Sequence, residues 1–87
     1  SAGHANAMAR RLAEGVGAVE GVEILHPVQA NAVFARLPRD VSERLQKRYR
    51  FYFWDEAAGD VRWMCSFDTT EEDVDGFVAA LREEMAR

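Results

Sequence analysis

Apolar residues recur at three- and four-residue spacing in three stretches of the sequence, which places them on one face of a helix. In the first stretch, near the N-terminus, these residues are Ala5, Met8, Ala9, Leu12 and Val16. The end of this helix is predicted by the glycines Gly15, Gly17 and Gly21. The segment therefore predicts an amphipathic helix that ends before Gly21.

The second helix is predicted in "PRDVSERLQKRY". Asp40 is its predicted N-cap, with Glu43 three residues further on. Its inner face carries Val41, Leu45 and Tyr49.

The third helix has the strongest start signal. Thr69 and Glu72 form a predicted capping box, and Thr70 and Asp73 offer the same spacing one residue later. The apolar stripe that follows consists of Val74, Phe77, Val78, Leu81 and Met85.

Four segments rich in branched and aromatic residues predict strands over 21–25, 30–37, 51–56 and 60–67. The turn "AAGD" (57–60) joins the last two strands as a hairpin. The order α-β-β-α-β-β-α predicts an α+β fold. We expect a small two-layer domain, with a mostly antiparallel sheet and the helices on one face.

Alternation along the fourth strand separates two faces. The face expected to meet the helices carries Val61, Trp63, Cys65 and Phe67. The other face carries Arg62, Met64 and Ser66. The neighbouring strand "FYFW" is apolar on both faces, which predicts that the open face is covered too. Because 87 residues do not provide that cover, we expect a partner there.

Composition narrows the class of protein. A chain of 87 residues is one domain or a piece of a larger one. Its net charge of −4 argues against nucleic acid as the main partner, even though "RLQKRYRFYFW" combines basic and aromatic residues. No apolar run approaches membrane-spanning length, so no membrane partner is expected. A single cysteine, Cys65, excludes an internal disulfide and favours a reducing, cytoplasmic compartment.

Metal or nucleophilic chemistry would have to use His4, His26 or Cys65. These residues lack the close, paired spacing of zinc ligands, so no metal site is predicted. We expect both histidines at the surface and Cys65 packed in the core as an unreactive thiol.

Arg62 interrupts an otherwise apolar strand, and two interpretations of it stay open. It is either a rim arginine, with its head in water or paired to Asp55 or Glu56, or a guanidinium that binds a carboxylate in bidentate fashion. Arginine suits the second task better than lysine because its planar fork donates two parallel hydrogen bonds. Asp55, Glu56 and Asp60 flank the hairpin turn and are expected to be solvated.

Four segments in order resemble the C-terminal small domain of threonine aldolases, which are fold type I enzymes that use pyridoxal 5'-phosphate. They are "HANAMARRLAEG", "QANAVFARLP", "FYFW" and "DVRWMCSFDTTEEDVDGFVAAL". The resemblance covers essentially the whole chain. Its most specific part is the arginine strand followed by "SFDTTEEDVDGF".

The resemblance implies a small domain that packs against a large domain carrying the cofactor lysine, in an enzyme that is usually a homotetramer. Such enzymes cleave β-hydroxy-α-amino acids, such as L-threonine or L-allo-threonine, to glycine and an aldehyde, here acetaldehyde. It also implies that Arg62 anchors the substrate α-carboxylate. Asn31 matches a recurrent asparagine of the family, which either caps a strand end or forms a hydrogen bond near the site. Ser66 is a further candidate beside it.

The chain also departs from this family. Met64 and Cys65 stand where valine and threonine are expected, and the only lysine, Lys47, does not match the cofactor-lysine motif. We therefore expect residues 1–87 to be the small domain of a larger enzyme, inactive alone, with no catalytic residue and no bound cofactor of its own. Two alternatives remain: the small domain of another fold type I lyase or transferase, or a stand-alone interaction module without catalysis.

Overall fold

The computed structural model describes residues 2–28 and 30–87, and these form three helices and a four-stranded antiparallel sheet. The elements are α1 (Ala2–Gly17), β1 (Glu23–Ile24), β2 (Ala32–Arg36), α2 (Arg39–Leu45), β3 (Tyr52–Asp55), β4 (Asp60–Met64) and α3 (Glu71–Met85). The predicted α+β class and element order are confirmed. Ser1, before the first helix, and Gln29, in the quoted segment "QANAVFARLP", lie outside the described residues.

The sheet has the order β1-β2-β4-β3, so β2 and β4 are its central strands. β2 and β4 are antiparallel, with Phe34 opposite Arg62. β3 and β4 form the predicted hairpin, whose turn contains Gly59 with a φ of 76°. A side chain is rarely accommodated at this left-handed backbone angle, so glycine suits the turn.

The helices pack on one face of the sheet, where the core lies. The buried strand residues on this face include Val33, Ala35, Val61, Trp63 and Cys65. α1 and α3 approach closely at Gly15: a Cβ there would lie 2.7 Å from Cγ2 of Val78. Gly15, predicted to mark the helix end, therefore lies inside α1 and permits this close packing.

Both predicted helix caps need correction. Asp40 is not the N-cap of α2, because the chain enters this helix at Pro38 and no side chain caps it. Asp40 lies in the first turn and pairs with Arg44 at 3.1 Å. The capping box of α3 is formed by Thr70 and Asp73, and not by Thr69 and Glu72.

Several strands are shorter than predicted. β2 begins only at Ala32, since Ala30 has a left-handed φ of 55° and Asn31 lies in a turn. β4 ends at Met64, and the chain then turns between Ser66 and Thr69. Phe67, predicted to face the helices, is instead 76% exposed, because this turn ends the alternation of the strand.

Candidate functional site

The sheet face opposite the helices, called the open face below, carries large apolar side chains beside Arg62. Tyr52, Trp54 and Met64 are 69%, 58% and 55% exposed, respectively. In the cross-strand register, Arg62 lies between Phe34 of β2 and Tyr52 of β3. The placement of Arg62 and Met64 away from the helices agrees with the sequence prediction.

Among the described residues, Arg62 contacts an aromatic ring and has no ion-pair partner. Its guanidinium carbon lies 4.8 Å from the centre of the Trp54 ring. Within the part of the chain that the structure describes, Arg62 forms no ion pair. The cation therefore lies against a ring, and its N–H groups have no carboxylate partner among residues 2–28 and 30–87.

The two acidic residues considered as partners for Arg62 are engaged elsewhere. A carboxylate oxygen of Asp55 accepts a hydrogen bond from the Ala58 N–H at 3.2 Å. Glu56 pairs with Arg39 at 3.3 Å. The interpretation of Arg62 as an arginine paired to either residue is therefore wrong.

A second arginine of the open face, Arg36, does have a carboxylate partner. Arg36 donates two hydrogen bonds to Asp60, at 2.7 and 3.1 Å. Asp60 is buried, which corrects the expectation that it is solvated. This pair raises the pKa of Arg36, chiefly through the hydrogen bond to Asp60. A carboxylate thus pairs with Arg36, whereas none of the described carboxylates pairs with Arg62.

A depression of about 260 Å³ opens beside Arg62. Its lining includes Arg50, Tyr52, Trp54 and Met64, and no acidic residue belongs to it. A lining with two arginines and no acidic residue favours an anion over a cation at this position. A carboxylate, like a phosphate, can accept two parallel hydrogen bonds from a free guanidinium fork.

Asn31 lies at the end of the β2–β4 pairing. Its side-chain amide donates to the Cys65 carbonyl at 2.7 Å, and the Cys65 N–H donates to the Asn31 carbonyl at 2.9 Å. Of the two roles considered for Asn31, this contact fits the capping of a strand end. It extends the ladder by one residue beyond β4.

Ser66 belongs to the turn after β4. Its backbone N–H donates to the Thr69 hydroxyl at 2.8 Å, and its own hydroxyl donates to the Asp68 carboxylate. Neither Ser66 nor Asn31 forms a hydrogen bond with Arg62. Both residues instead form hydrogen bonds that order the backbone around the end of β4.

The other residues considered for metal binding or nucleophilic catalysis are Cys65, His4 and His26. Cys65 is buried, and its burial raises the pKa of the thiol, which disfavours the reactive thiolate. His4 donates to the Thr69 carbonyl at 2.6 Å, and His26 is exposed with its ring edge-on to Phe34. Among the described residues, no three His, Cys, Asp or Glu side chains are grouped so as to hold a metal ion.

The residues of this chain do not fit pyridoxal phosphate as a covalently bound cofactor. Such a link needs a lysine, and Lys47 is exposed in the turn after α2. α2 packs against α3 in the helical layer, on the other side of the sheet from Arg62. A cofactor lysine would have to come from outside this chain.

No helix among residues 2–28 and 30–87 combines the length and the apolar character needed to cross a membrane.

Comparison with known proteins finds relatives of similar sequence. No protein-family model matches the chain. A low specificity L-threonine aldolase from Pseudomonas sp. strain NCIMB 10558 is 40% identical over 86 residues, which is 98% of this chain. Another from Pseudomonas aeruginosa is 47% identical over 74 residues, or 84% of the chain.

The matched segments make up 25% and 21% of these two relatives, so the chain spans about a quarter of their length or less. Identity of 40–47% between the aligned residues is far above what unrelated sequences share. The predicted resemblance to threonine aldolases is confirmed: nearly the whole chain is similar to one part of low specificity L-threonine aldolases.

Proposed function

We propose that this chain is the C-terminal small domain of a pyridoxal-phosphate-dependent aldolase and that it supplies the group that binds the substrate α-carboxylate. The substrate would be L-threonine or L-allo-threonine, cleaved to glycine and acetaldehyde. The observation that carries the proposal is Arg62, which has no acidic partner within the described part of the chain and lies on a sheet face that also exposes apolar side chains.

The role of Arg62 follows from the chemistry of its side chain. A guanidinium donates two parallel hydrogen bonds to one carboxylate, which fixes the orientation of the substrate as well as its position. An amine without a carboxylate forms neither bond. Arg62 would therefore select α-amino acids and hold them in one orientation relative to groups supplied by the rest of the enzyme.

The remainder of the enzyme would be a large domain of the same polypeptide. Three quarters or more of each relative lies outside the matched segment, which is enough chain for such a domain. The exposed Tyr52, Trp54 and Met64 give the open face an apolar surface that such a domain could cover. The cofactor and its lysine would belong to that domain, and this chain alone would be inactive.

The resemblance also suggests that the complete enzyme is a homotetramer. The free thiol of Cys65 is compatible with a reducing compartment, and we place the enzyme in the cytoplasm.

Substitution of Arg62 in the full-length protein that contains this chain tests the proposal. Because Arg62→Ala removes a charge-assisted bidentate contact, we expect kcat/KM for threonine to fall by roughly a hundredfold or more. Arg62→Lys keeps the charge without the fork and should recover only part of the loss. Arg10→Ala, at an exposed arginine of α1, is the matched control.

A near-normal kcat/KM in Arg62→Ala would overturn the assignment. Product analysis separates the other fold type I chemistries, since the proposed reaction yields glycine and acetaldehyde in equal amounts. Transfer of the amino group, or elimination without glycine, would instead place this domain in a different enzyme.

A further inference from the structure

Trp54 occupies an irregular position in β3, and its ring lies close to Arg62. Along the hairpin, Phe53 is opposite Val61 and Asp55 is opposite Asp60, so Trp54 is an extra residue with no partner on β4. Such a bulge re-aims a side chain and is frequent next to functional sites. Here the ring centre lies 4.8 Å from the guanidinium carbon of Arg62.

The Trp54 ring is itself supported from the far side of β4. Its centre lies 5.2 Å from that of Phe34, at an angle of 74°. Phe34 is the cross-strand partner of Arg62 on β2, so the indole reaches over β4 to contact both residues. His26 in turn packs edge-on against Phe34 at 5.2 Å and 85°. Three rings thus form a continuous row along the open face.

This contact leaves the hydrogen-bonding groups of Arg62 available. A cation–π interaction uses the face of the ring, whereas the guanidinium donates its hydrogen bonds from its edge and in its own plane. An acidic partner such as the one that binds Arg36 would occupy those donors. The ring orders the long side chain of Arg62 without competing for the ligand.

We propose that Trp54 is a positioning residue, which pre-orders the Arg62 guanidinium for a carboxylate ligand, with Phe34 as the support of its ring. This inference rests on the proposed function of Arg62. Ordering one long side chain before binding changes affinity by about three- to tenfold, and the loss should affect only ligands that carry the carboxylate.

The test compares glycine with methylamine, which is glycine without its carboxylate. Both are titrated into the full-length protein, and dissociation constants are taken from the change in visible absorbance of the bound cofactor. Trp54→Leu should raise the dissociation constant of glycine by about three- to tenfold and leave that of methylamine unchanged. Trp54→Phe keeps an aromatic face and should stay within about twofold of the parent protein for both ligands.

Two further variants separate the outcomes. Arg62→Ala reports on the proposed function itself, and Phe67→Leu, at an exposed aromatic residue outside the row of rings, is the control for loss of surface aromatic area. A normal glycine affinity in Trp54→Leu, together with a large loss in Arg62→Ala, would overturn the role of Trp54 and leave the role of Arg62 standing. A normal glycine affinity in Arg62→Ala would overturn both.

An equal rise in the dissociation constants of glycine and methylamine in Trp54→Leu would also contradict the inference, because it would indicate general distortion of the site. Should Trp54→Leu prove insoluble, Trp54→Met and Phe34→Leu carry the same comparison. We expect the selective loss of glycine affinity in both of these variants, and its absence in both would overturn the proposal.

Discussion

Arg36 and Asp60 face each other across the two central strands and are joined by two hydrogen bonds of 2.7 and 3.1 Å. Arg62 lies two residues along β4 from Asp60, on the same face, and has no such partner among the residues that the structure describes. Within the part of the chain that the structure describes, the sheet thus carries one arginine paired with a carboxylate and one without an ion-pair partner.

The Arg36–Asp60 pair should respond asymmetrically to substitution. The Asp60 side chain is only 10% exposed, whereas that of Arg36 is 50% exposed. Arg36→Met leaves a nearly buried carboxylate without its partner, while Asp60→Asn leaves an unpaired arginine that water can reach. We expect a lower urea midpoint for Arg36→Met than for Asp60→Asn.

The double variant Arg36→Met/Asp60→Asn should regain part of the stability lost in Arg36→Met, since the unpaired Asp60 carboxylate is then removed. A double variant that unfolds at lower urea than Arg36→Met would contradict this account of the pair.

Acid should weaken the contact between α2 and α3. Arg44 donates to Glu84 at 2.6 Å, and this hydrogen bond holds the pKa of the Glu84 carboxyl below its ordinary value. The folded state then binds fewer protons than the unfolded state. The resulting stability is present above the unfolded carboxyl pKa, about 4, and is lost as the pH falls through the lower folded value.

Urea midpoints measured across this acidic range test the prediction. Arg44→Gln should show a shallower fall of the midpoint with decreasing pH than the parent chain, and Arg10→Gln should match the parent. An unchanged pH dependence in Arg44→Gln would show that this pair does not link folding to protonation.

The N-terminus of α3 should depend on Thr70 more than on Glu72. The Thr70 hydroxyl accepts the Asp73 N–H at 3.0 Å, and the Asp73 carboxylate accepts the Thr70 N–H at 3.0 Å. Thr70→Ala should cost about 1 kcal/mol of unfolding free energy, while Thr70→Ser should retain most of it. Glu72→Ala should have the smaller effect, and an equal loss in both alanine variants would contradict the observed cap.

Local patterns in the sequence were sufficient to predict the element order, the two faces of β4 and the confirmed resemblance. Each depends on residues close together in the chain, as in the alternation of Val61, Arg62 and Trp63. The predictions of the helix caps were wrong where neighbouring residues fit the same local pattern equally well. Thr69 and Thr70 both offer a capping-box spacing, and only the turn that engages the Thr69 hydroxyl decides between them.

The details of the candidate site depend on contacts that the sequence does not specify locally. The burial of Asp60 requires Arg36, which is 24 residues away and becomes its neighbour only through the β2–β4 register. Trp54 lies 4.8 Å from the Arg62 guanidinium carbon at a bulge in β3, and the sequence does not predict that bulge. The four consecutive aromatics of "FYFW" predicted a strand that is apolar on both faces, but not which ring would contact the arginine.

The central claim, that this chain is one part of a larger amino-acid-cleaving enzyme, is tested most directly on the native gene product. An antibody to this chain would capture it from cells, and its intact mass, visible absorbance and cleavage of threonine would be measured. The account predicts a species several-fold heavier than these 87 residues, with the absorbance of lysine-bound pyridoxal phosphate and release of glycine and acetaldehyde. A product consisting of these residues alone, or a heavier one that does not cleave threonine, would contradict it.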